Sequence, residues 1–189
     1  MTTPGLPQYI PAQLCETVGL DPVTTQVDVC LGDVIAAVRD GGVSAPEGSD
    51  IAGLRQVVAD AGARDVDLKI VYVPTNPPID TPLRDVAREA GKAYPDATVL
   101  VMSPSFAGTY SPTFDRVTLE SGQDYAKVPG NPVLSSQKFL DEITASHFPW
   151  TPFTIVVVLL VAMAAVGTRL LQVRARRSVA SESPVPPPN

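Results

Sequence analysis

Asp67-Leu-Lys-Ile-Val-Tyr-Val73 and Ala97-Thr-Val-Leu-Val-Met102 are two apolar runs of strand length, and a helical pattern separates them. Thr81-Pro82 begins that pattern, because a proline in the first turn of a helix removes no needed hydrogen bond. The apolar positions that follow share one helical face: Leu83, Val86, Ala87, Ala90 and Tyr94. A nearly continuous apolar run is typical of a buried strand in a parallel sheet. The stretch therefore predicts a βαβ unit.

Further elements are predicted on both sides of this unit. Of two preceding helices, one ends at Gly41-Gly42 and the other begins at a Ser49 cap. After the unit, the alternation in Arg116-Val-Thr-Leu119 predicts a third strand, and a last helix begins at Ser135 or Ser136. We therefore expect an α/β fold, with one small domain that contains a mostly parallel sheet, a βαβ unit and flanking helices.

The C-terminal part of the chain contains a membrane-spanning pattern. From Phe148 through Thr168 there is no Asp, Glu, Lys or Arg, and a run of about 20 such residues suffices for a helix to cross the hydrocarbon core. Trp150 and Phe153 lie at one edge, where aromatic rings prefer the headgroup layer, and Arg169 lies near the other. A buried core helix is the alternative, but the remaining tail offers no other element to cover one. The pattern predicts a single transmembrane helix.

These patterns divide the chain into four predicted segments. Residues 1–14 contain three prolines and a glycine and form an extended lead-in. Residues 15–147 form the α/β domain, and residues 148–173 form the transmembrane helix with its aromatic flank. Residues 174–189 are basic and then rich in Ser and Pro, a composition that predicts a disordered tail.

The charges predict an orientation in the membrane. Residues 1–150 contain ten basic and nineteen acidic side chains, a balance of −9. Basic residues near the end of a span favour the cytoplasm, so residues 1–147 are expected outside the cell membrane on account of Arg169, Arg174, Arg176 and Arg177. The opposite arrangement, a cytoplasmic domain with a tail anchor, stays open, because residues 1–10 show no signal-peptide pattern. The net charge of −6 argues against nucleic acid as a partner.

The cysteines and the histidine limit the chemistry. Two cysteines and one histidine exclude zinc-finger and iron–sulfur frameworks, which need four ligands, so we expect no metal and no cofactor. Cys15 and Cys30 form a permitted disulfide if the domain is outside, whereas two reduced thiols are the simpler interpretation for a cytoplasmic domain. His147 shares no helical face with Asp141 or Glu142, so we interpret it as a residue at the membrane interface.

The order of these elements resembles TPM-type domains, which are small α/β modules commonly tethered to bacterial or thylakoid membranes. The resemblance rests on Gly41-Gly-Val-Ser-Ala-Pro46, Asp67-Leu-Lys-Ile-Val-Tyr-Val73, Thr81-Pro-Leu-Arg-Asp-Val-Ala, Asp96-Ala-Thr-Val-Leu-Val-Met-Ser-Pro and Asp115-Arg-Val-Thr-Leu-Glu-Ser-Gly. More closely, the chain is similar to small actinobacterial membrane proteins with one C-terminal span, through Tyr9-Ile-Pro, Asp67-Leu-Lys-Ile-Val, Asp80-Thr-Pro-Leu-Arg-Asp and Phe148-Pro-Trp-Thr. This similarity implies an envelope location and a partnership with NlpC/P60-type peptidoglycan endopeptidases, beside which such proteins tend to be encoded. It implies no catalytic residues.

Two groups of polar residues are candidates for a binding or catalytic site. Hydroxyls follow the second predicted strand, where α/β proteins bind ligands: Ser103, Ser105, Thr109 and Ser111. Asp80 and Asp85 flank the start of the βαβ helix, and some TPM-type domains have been proposed to act as phosphatases through acidic residues. A polar connecting loop and helix-dipole compensation explain both groups without chemistry.

The sequence favours a membrane-tethered, non-enzymatic interaction module of the cell envelope. Its expected partners are the lipid bilayer and another envelope protein, and the resemblance suggests recruitment or regulation of a peptidoglycan hydrolase during cell-wall remodelling. Two alternatives remain: a membrane-anchored, phosphatase-like hydrolase that uses Asp80, Asp85 and the Ser103–Ser111 loop, and a cytoplasmic tail-anchored adaptor. The sequence argues against a transporter or channel, because one span with no polar residue at its centre offers a solute no route.

Overall fold

The computed structural model describes residues 9–145 and 150–181. The chain separates into two compact units, which divide between residues 145 and 146. Predictions for residues 1–8, for His147 and for the tail from residue 182 lie outside the described residues.

The first unit is a mixed α/β domain with a four-stranded sheet. The strands lie in the order β1-β2-β3-β4; the first three are parallel and β4 is antiparallel to β3. The elements are α1 (Leu14–Thr17), α2 (Val27–Ala37), β1 (Val43–Ser44), α3 (Ile51–Gly62), β2 (Leu68–Tyr72), α4 (Thr81–Ala93), β3 (Thr98–Met102), β4 (Ala107–Tyr110), α5 (Arg116–Tyr125) and α6 (Pro132–Thr144). The βαβ unit, β2-α4-β3, and the mostly parallel sheet are therefore confirmed.

Alternate side chains of the central strands pack on opposite faces of the sheet. Ile70 and Leu100 contribute to the core that α3, α5 and α6 cover. Val71 and Val101 contribute to the core that α2 and α4 cover. Both faces of β3 are therefore buried, which explains why the sequence of this strand is apolar without interruption.

The predicted strand at Arg116–Leu119 is wrong, because these residues form the first turn of α5. Asp115 caps that helix, and its carboxylate accepts a hydrogen bond from the Thr118 N–H at 2.9 Å. Val117 is 77% exposed and Leu119 is 8% exposed, so the alternation reflects two sides of a helix.

The strand that pairs with β3 is instead β4, inside the stretch that the sequence predicts to be a loop. Ala107-Gly-Thr-Tyr110 has no strong apolar alternation. A Cβ on Gly108 would overlap the backbone of Leu83 and Arg84, so this glycine allows β4 to lie directly against α4.

Several element boundaries also differ from the predictions. Leu14 begins α1 and is fully buried, so it belongs to the domain and not to an extended lead-in. Asp50, not Ser49, caps α3. Asn131 caps α6, which begins at Pro132, before the predicted start at Ser135 or Ser136.

The second unit contains α7 (Trp150–Ser181), one helix that is long and apolar enough to cross a membrane. The candidate span runs over the 22 residues Phe153–Arg174, about 33 Å at roughly 1.5 Å per residue, against a hydrocarbon core of about 30 Å. Its side chains are not buried inside the protein. Phe153 lies at its beginning and Arg169 in its last turns, while Arg176 and Arg177 follow it. The predicted disordered tail is wrong for residues 174–181, because α7 continues through them to Ser181.

Candidate functional site

A cavity of about 170 Å³ lies between α4, β4 and α5. We call it the arginine cavity, because Arg84 and Arg88 of α4 and Arg116 of α5 line it. Its other polar lining residues are Thr109, Ser111, Glu120 and Gln123. Three of the ten basic residues that precede the apolar helix therefore meet at one place, although the surrounding sequence is strongly acidic.

Close packing holds the walls of the cavity together. Besides the contact at Gly108, a Cβ on Gly91 of α4 would overlap the ring of Tyr110, so α4 and β4 fit directly against each other. On the other wall, the buried Gln123 amide donates a hydrogen bond to Thr109 Oγ1, which ties α5 to β4. Two glycines and a buried hydrogen bond thus hold α4 and α5, which carry the arginines, against β4.

Ser111 shapes the turn between β4 and α5. Its Oγ lies 2.9 Å from Thr98 Oγ1, and it accepts hydrogen bonds from the N–H groups of Thr113 at 3.1 Å and Phe114 at 3.2 Å. A hydroxyl that accepts from the residues two and three positions later forms a local turn of this kind. The turn leads directly into the Asp115 cap and so positions Arg116 on the wall.

The arginines differ in how far their charge is already compensated. Arg116 Nε lies 2.7 Å from Glu120 Oε1, and Arg88 Nη1 lies 3.5 Å from Asp85 Oδ1. The half-buried Arg84 forms no ion pair with any residue that the structure describes. A guanidinium presents a planar fork of N–H donors that matches a carboxylate or a phosphate, so the cavity is suited to an anionic group.

The structure separates the four predicted hydroxyls into two groups. Ser103 Oγ donates to Asn76 Oδ1 at 2.8 Å, and the Ser105 N–H donates to the same oxygen at 3.0 Å, at the carboxyl end of β3. Ser111 lies at the opposite end, where its Oγ is hydrogen-bonded with Thr98 Oγ1, and Thr109 pairs with Leu100 midway along β3. Five residues of β3 correspond to about 17 Å at roughly 3.3 Å per residue, so the two groups do not form one site.

The predicted aspartates also have structural partners. Asp85 is buried, and its Oδ2 accepts a hydrogen bond from the Tyr9 N–H at 3.2 Å, which attaches the N-terminal segment to α4. Asp80 occupies the cap position of α4 without a capping hydrogen bond, and its Oδ1 lies 3.4 Å from Thr81 Oγ1. Among the described residues, no group of three or more His, Cys, Asp or Glu is arranged to hold a metal ion.

The structure joins Cys15 of α1 to Cys30 of α2 by a disulfide, with an S–S distance of 1.99 Å. Both cysteines are fully buried. The bond closes the short N-terminal helix onto α2, which packs on the sheet face opposite α3.

Of the residues that form the arginine cavity, Thr109 and Ser111 are among the predicted site residues, whereas Arg84, Arg88 and Arg116 are not. Arg84 and Arg88 are four positions apart, so they share one side of α4, and that spacing is the one signal that the sequence contained. Because the sequence predicts a strand at Arg116–Leu119, it does not indicate that Arg116 lies near the other two arginines.

The amino-acid sequence is similar to those of known proteins. The family model described as "Membrane protein Rv1476" matches residues 9–182. The chain belongs to the Rv1476 family of membrane proteins. A relative named "Membrane protein Rv1476", from Mycobacterium tuberculosis (strain ATCC 25618 / H37Rv), is 46% identical over 185 residues, covering 98% of this chain and 90% of the relative. No solved structure matches the chain. Membership supports the assignment of α7 as a membrane helix, and the expected similarity to actinobacterial membrane proteins is confirmed at this level.

Proposed function

We propose that this member of the Rv1476 family is a membrane-tethered, non-enzymatic interaction module of the bacterial cell envelope. Its single apolar helix holds the α/β domain at the membrane, and the domain recruits or regulates a partner there. The observation that carries the proposal is the arginine cavity, which concentrates cationic donors in an acidic domain.

The chemistry of the cavity favours binding over catalysis. Arginine remains protonated at physiological pH, so it holds an anion but does not accept a proton as a general base. The carboxylate in the lining, Glu120, is engaged by Arg116. At about 170 Å³ the cavity accommodates one carboxylate or phosphate group, such as an acidic side chain of a partner protein.

The proposed location of the domain is outside the cytoplasm. The Cys15–Cys30 disulfide supports it, because disulfides form and persist in oxidising compartments and are rare in the cytosol. Arg174, Arg176 and Arg177 support it as well, because basic residues at the end of a span favour the cytoplasm. A TPM-type fold and a peptidoglycan hydrolase of the NlpC/P60 type as the partner complete the proposal; both are suggested by the sequence resemblance.

Protease accessibility in intact spheroplasts tests the location. With a tag on the C-terminus, we expect the protease to digest the domain and leave the tagged tail intact, while a cytoplasmic marker protein survives. A protected domain would contradict the extracytoplasmic location and favour the tail-anchored adaptor.

Affinity purification from detergent-solubilised envelopes tests the recruitment. We expect the wild-type chain to recover a cell-wall hydrolase, and Arg84→Gln combined with Arg88→Gln to lose it. Arg64→Gln is the matched control, because Arg64 forms a surface ion pair with Asp141 away from the cavity. Recovery of no cell-wall enzyme, or equal recovery by the cavity variant, would refute the proposal.

The hydrolase alternative is tested with a generic phosphate ester. The proposal expects no hydrolysis above the level of an Asp80→Asn, Asp85→Asn variant. A rate that falls in this variant would favour the membrane-anchored phosphatase.

A further inference from the structure

A second cavity, of about 610 Å³, lies beside the first strand of the sheet. We call it the edge cavity. Residues of α1, β1 and α3, together with the segment after α2, line it, and none of them lines the arginine cavity. Its size falls within the range of about 300–1,000 Å³ that is usual for ligand pockets.

Two buried hydroxyls in the edge cavity lack partners. Thr17 and Ser44 are each 3% exposed, and among the described residues Thr17 Oγ1 and Ser44 Oγ have no hydrogen-bond partner. Both residues line this cavity. Buried polar side chains are nearly always hydrogen-bonded in native proteins, so a pair of unsatisfied hydroxyls in one cavity indicates a polar ligand.

In the part of the chain that the structure describes, the strand beside the cavity has one unpaired edge. β1 is the outermost strand and pairs with β2 on one side. The Gly42 carbonyl accepts a hydrogen bond from the Ile70 N–H at 2.7 Å, so Gly42 faces β2. Main-chain groups alternate in direction along a strand, and the N–H and C=O of Val43 therefore point away from β2. Such an edge is a template for another extended chain.

The charged side chains of the cavity carry a net negative charge. Asp40, Glu47 and Arg55 line it, and in the described part of the chain none of them forms an ion pair. Two carboxylates and one guanidinium favour a ligand that carries a cationic side chain.

We propose that the edge cavity binds an extended peptide segment of a partner protein by strand addition to β1. The peptide main chain pairs with Val43, and its N–H and C=O groups satisfy the hydroxyls of Thr17 and Ser44. A Lys or Arg of the peptide lies beside Asp40 and Glu47. Main-chain pairing provides affinity and side-chain contacts provide sequence preference in this mode of recognition. The site is distinct from the arginine cavity and does not depend on the function proposed above.

Selection from a phage-displayed library of random heptapeptides tests this proposal. The target is the full-length protein in nanodiscs, and enriched sequences are synthesised and measured by fluorescence anisotropy. We expect enriched peptides to contain a basic residue, and we expect Thr17→Val combined with Ser44→Ala to weaken their binding at least tenfold. We expect this variant to fold, because the two hydroxyls that it removes have no hydrogen-bond partner among the described residues. Arg64→Gln is the control and leaves binding unchanged.

Two further measurements keep the test decisive. N-methylation of the peptide at its central amide, which removes a main-chain donor without changing the side chains, is expected to weaken binding at least tenfold. Asp40→Asn combined with Glu47→Gln is expected to weaken it at least fivefold. Absence of enriched peptides, or binding that is insensitive to both the hydroxyl variant and N-methylation, would overturn the proposal.

Discussion

Gly108 controls the packing of α4 against β4, and its replacement by alanine gives a sharp test of the structure. A Cβ at this position would overlap backbone atoms of Leu83 and Arg84, which do not rotate away as a side chain does. Overpacking of this kind costs about 1–3 kcal/mol, and a clash with backbone lies at the upper end. For a chain of this size 1 kcal/mol shifts Tm by about 2–4 °C, so Gly108→Ala is expected to lower Tm by roughly 6–12 °C.

Gly32→Ala is the matched control for that substitution. Gly32 lies inside α2, and a Cβ there would meet no other atom within 4 Å. Alanine is a better helix former than glycine by roughly 0.5–1 kcal/mol, so this variant is expected to raise Tm by about 1–4 °C. The assay is thermal unfolding of the detergent-solubilised full-length protein, followed by near-ultraviolet circular dichroism. If Gly108→Ala leaves Tm unchanged, or if both variants shift it in the same direction, the close approach of α4 to β4 is wrong.

Three further predictions concern single interactions. Reduction of the Cys15–Cys30 bond is expected to destabilise the domain by about 3 kcal/mol for a loop of this length, measured by urea unfolding with and without reductant; equal midpoints would contradict it. Thr109→Val leaves the buried Gln123 amide without its acceptor and is expected to cost about 1–3 kcal/mol, whereas Thr109→Ser, which keeps the hydroxyl, loses less of the unfolding free energy. Burial raises the pKa of the Tyr72 hydroxyl above its usual value of 10.0. The folded state therefore retains this proton where the unfolded state loses it, so its contribution to stability is present below pH 10 and declines as the pH rises further. Ultraviolet titration of tyrosinate in the wild type and in Tyr72→Phe tests this, because the difference between the two curves is expected to titrate above pH 10.0.

Local patterns predicted the elements whose burial is continuous along the chain. β3 is buried on both faces and reads as an unbroken apolar run, and α4 presents one apolar face to the sheet. The membrane helix was predicted for the same reason, since the 21 residues from Phe148 through Thr168 carry no charge and form a long, predominantly apolar run. Amino-acid composition and hydrophobic period are sufficient to predict an element whose surroundings do not change along its length.

Elements that depend on a neighbour were not predicted. β4 contains two small residues and is a strand because it pairs with β3 and because Gly108 fits beneath α4. The first turn of α5 resembled a strand, because the period-2 alternation of four residues does not distinguish an amphipathic helix from a half-buried strand.

The candidate site was predicted in part. Thr109 and Ser111 were selected because they follow an apolar strand, but their role is to position the wall of a cavity. The arginines of that wall come from two helices whose nearest members, Arg88 and Arg116, are 28 positions apart in the chain, and no local pattern links them. Their convergence is a consequence of the order of strands in the sheet.

By itself, the sequence determined that this protein is an acidic α/β domain attached to one membrane helix. Burial in lipid or in a sheet requires apolar side chains, and such a composition is recognisable in a short stretch of the sequence. It also limited the disulfide to a single pair, Cys15 and Cys30. The tertiary structure alone decided where cationic donors collect and which hydroxyls are buried without partners. Both properties arise from side chains on different elements, whose distances are set by the close packing of helices on the sheet and not by their spacing along the chain.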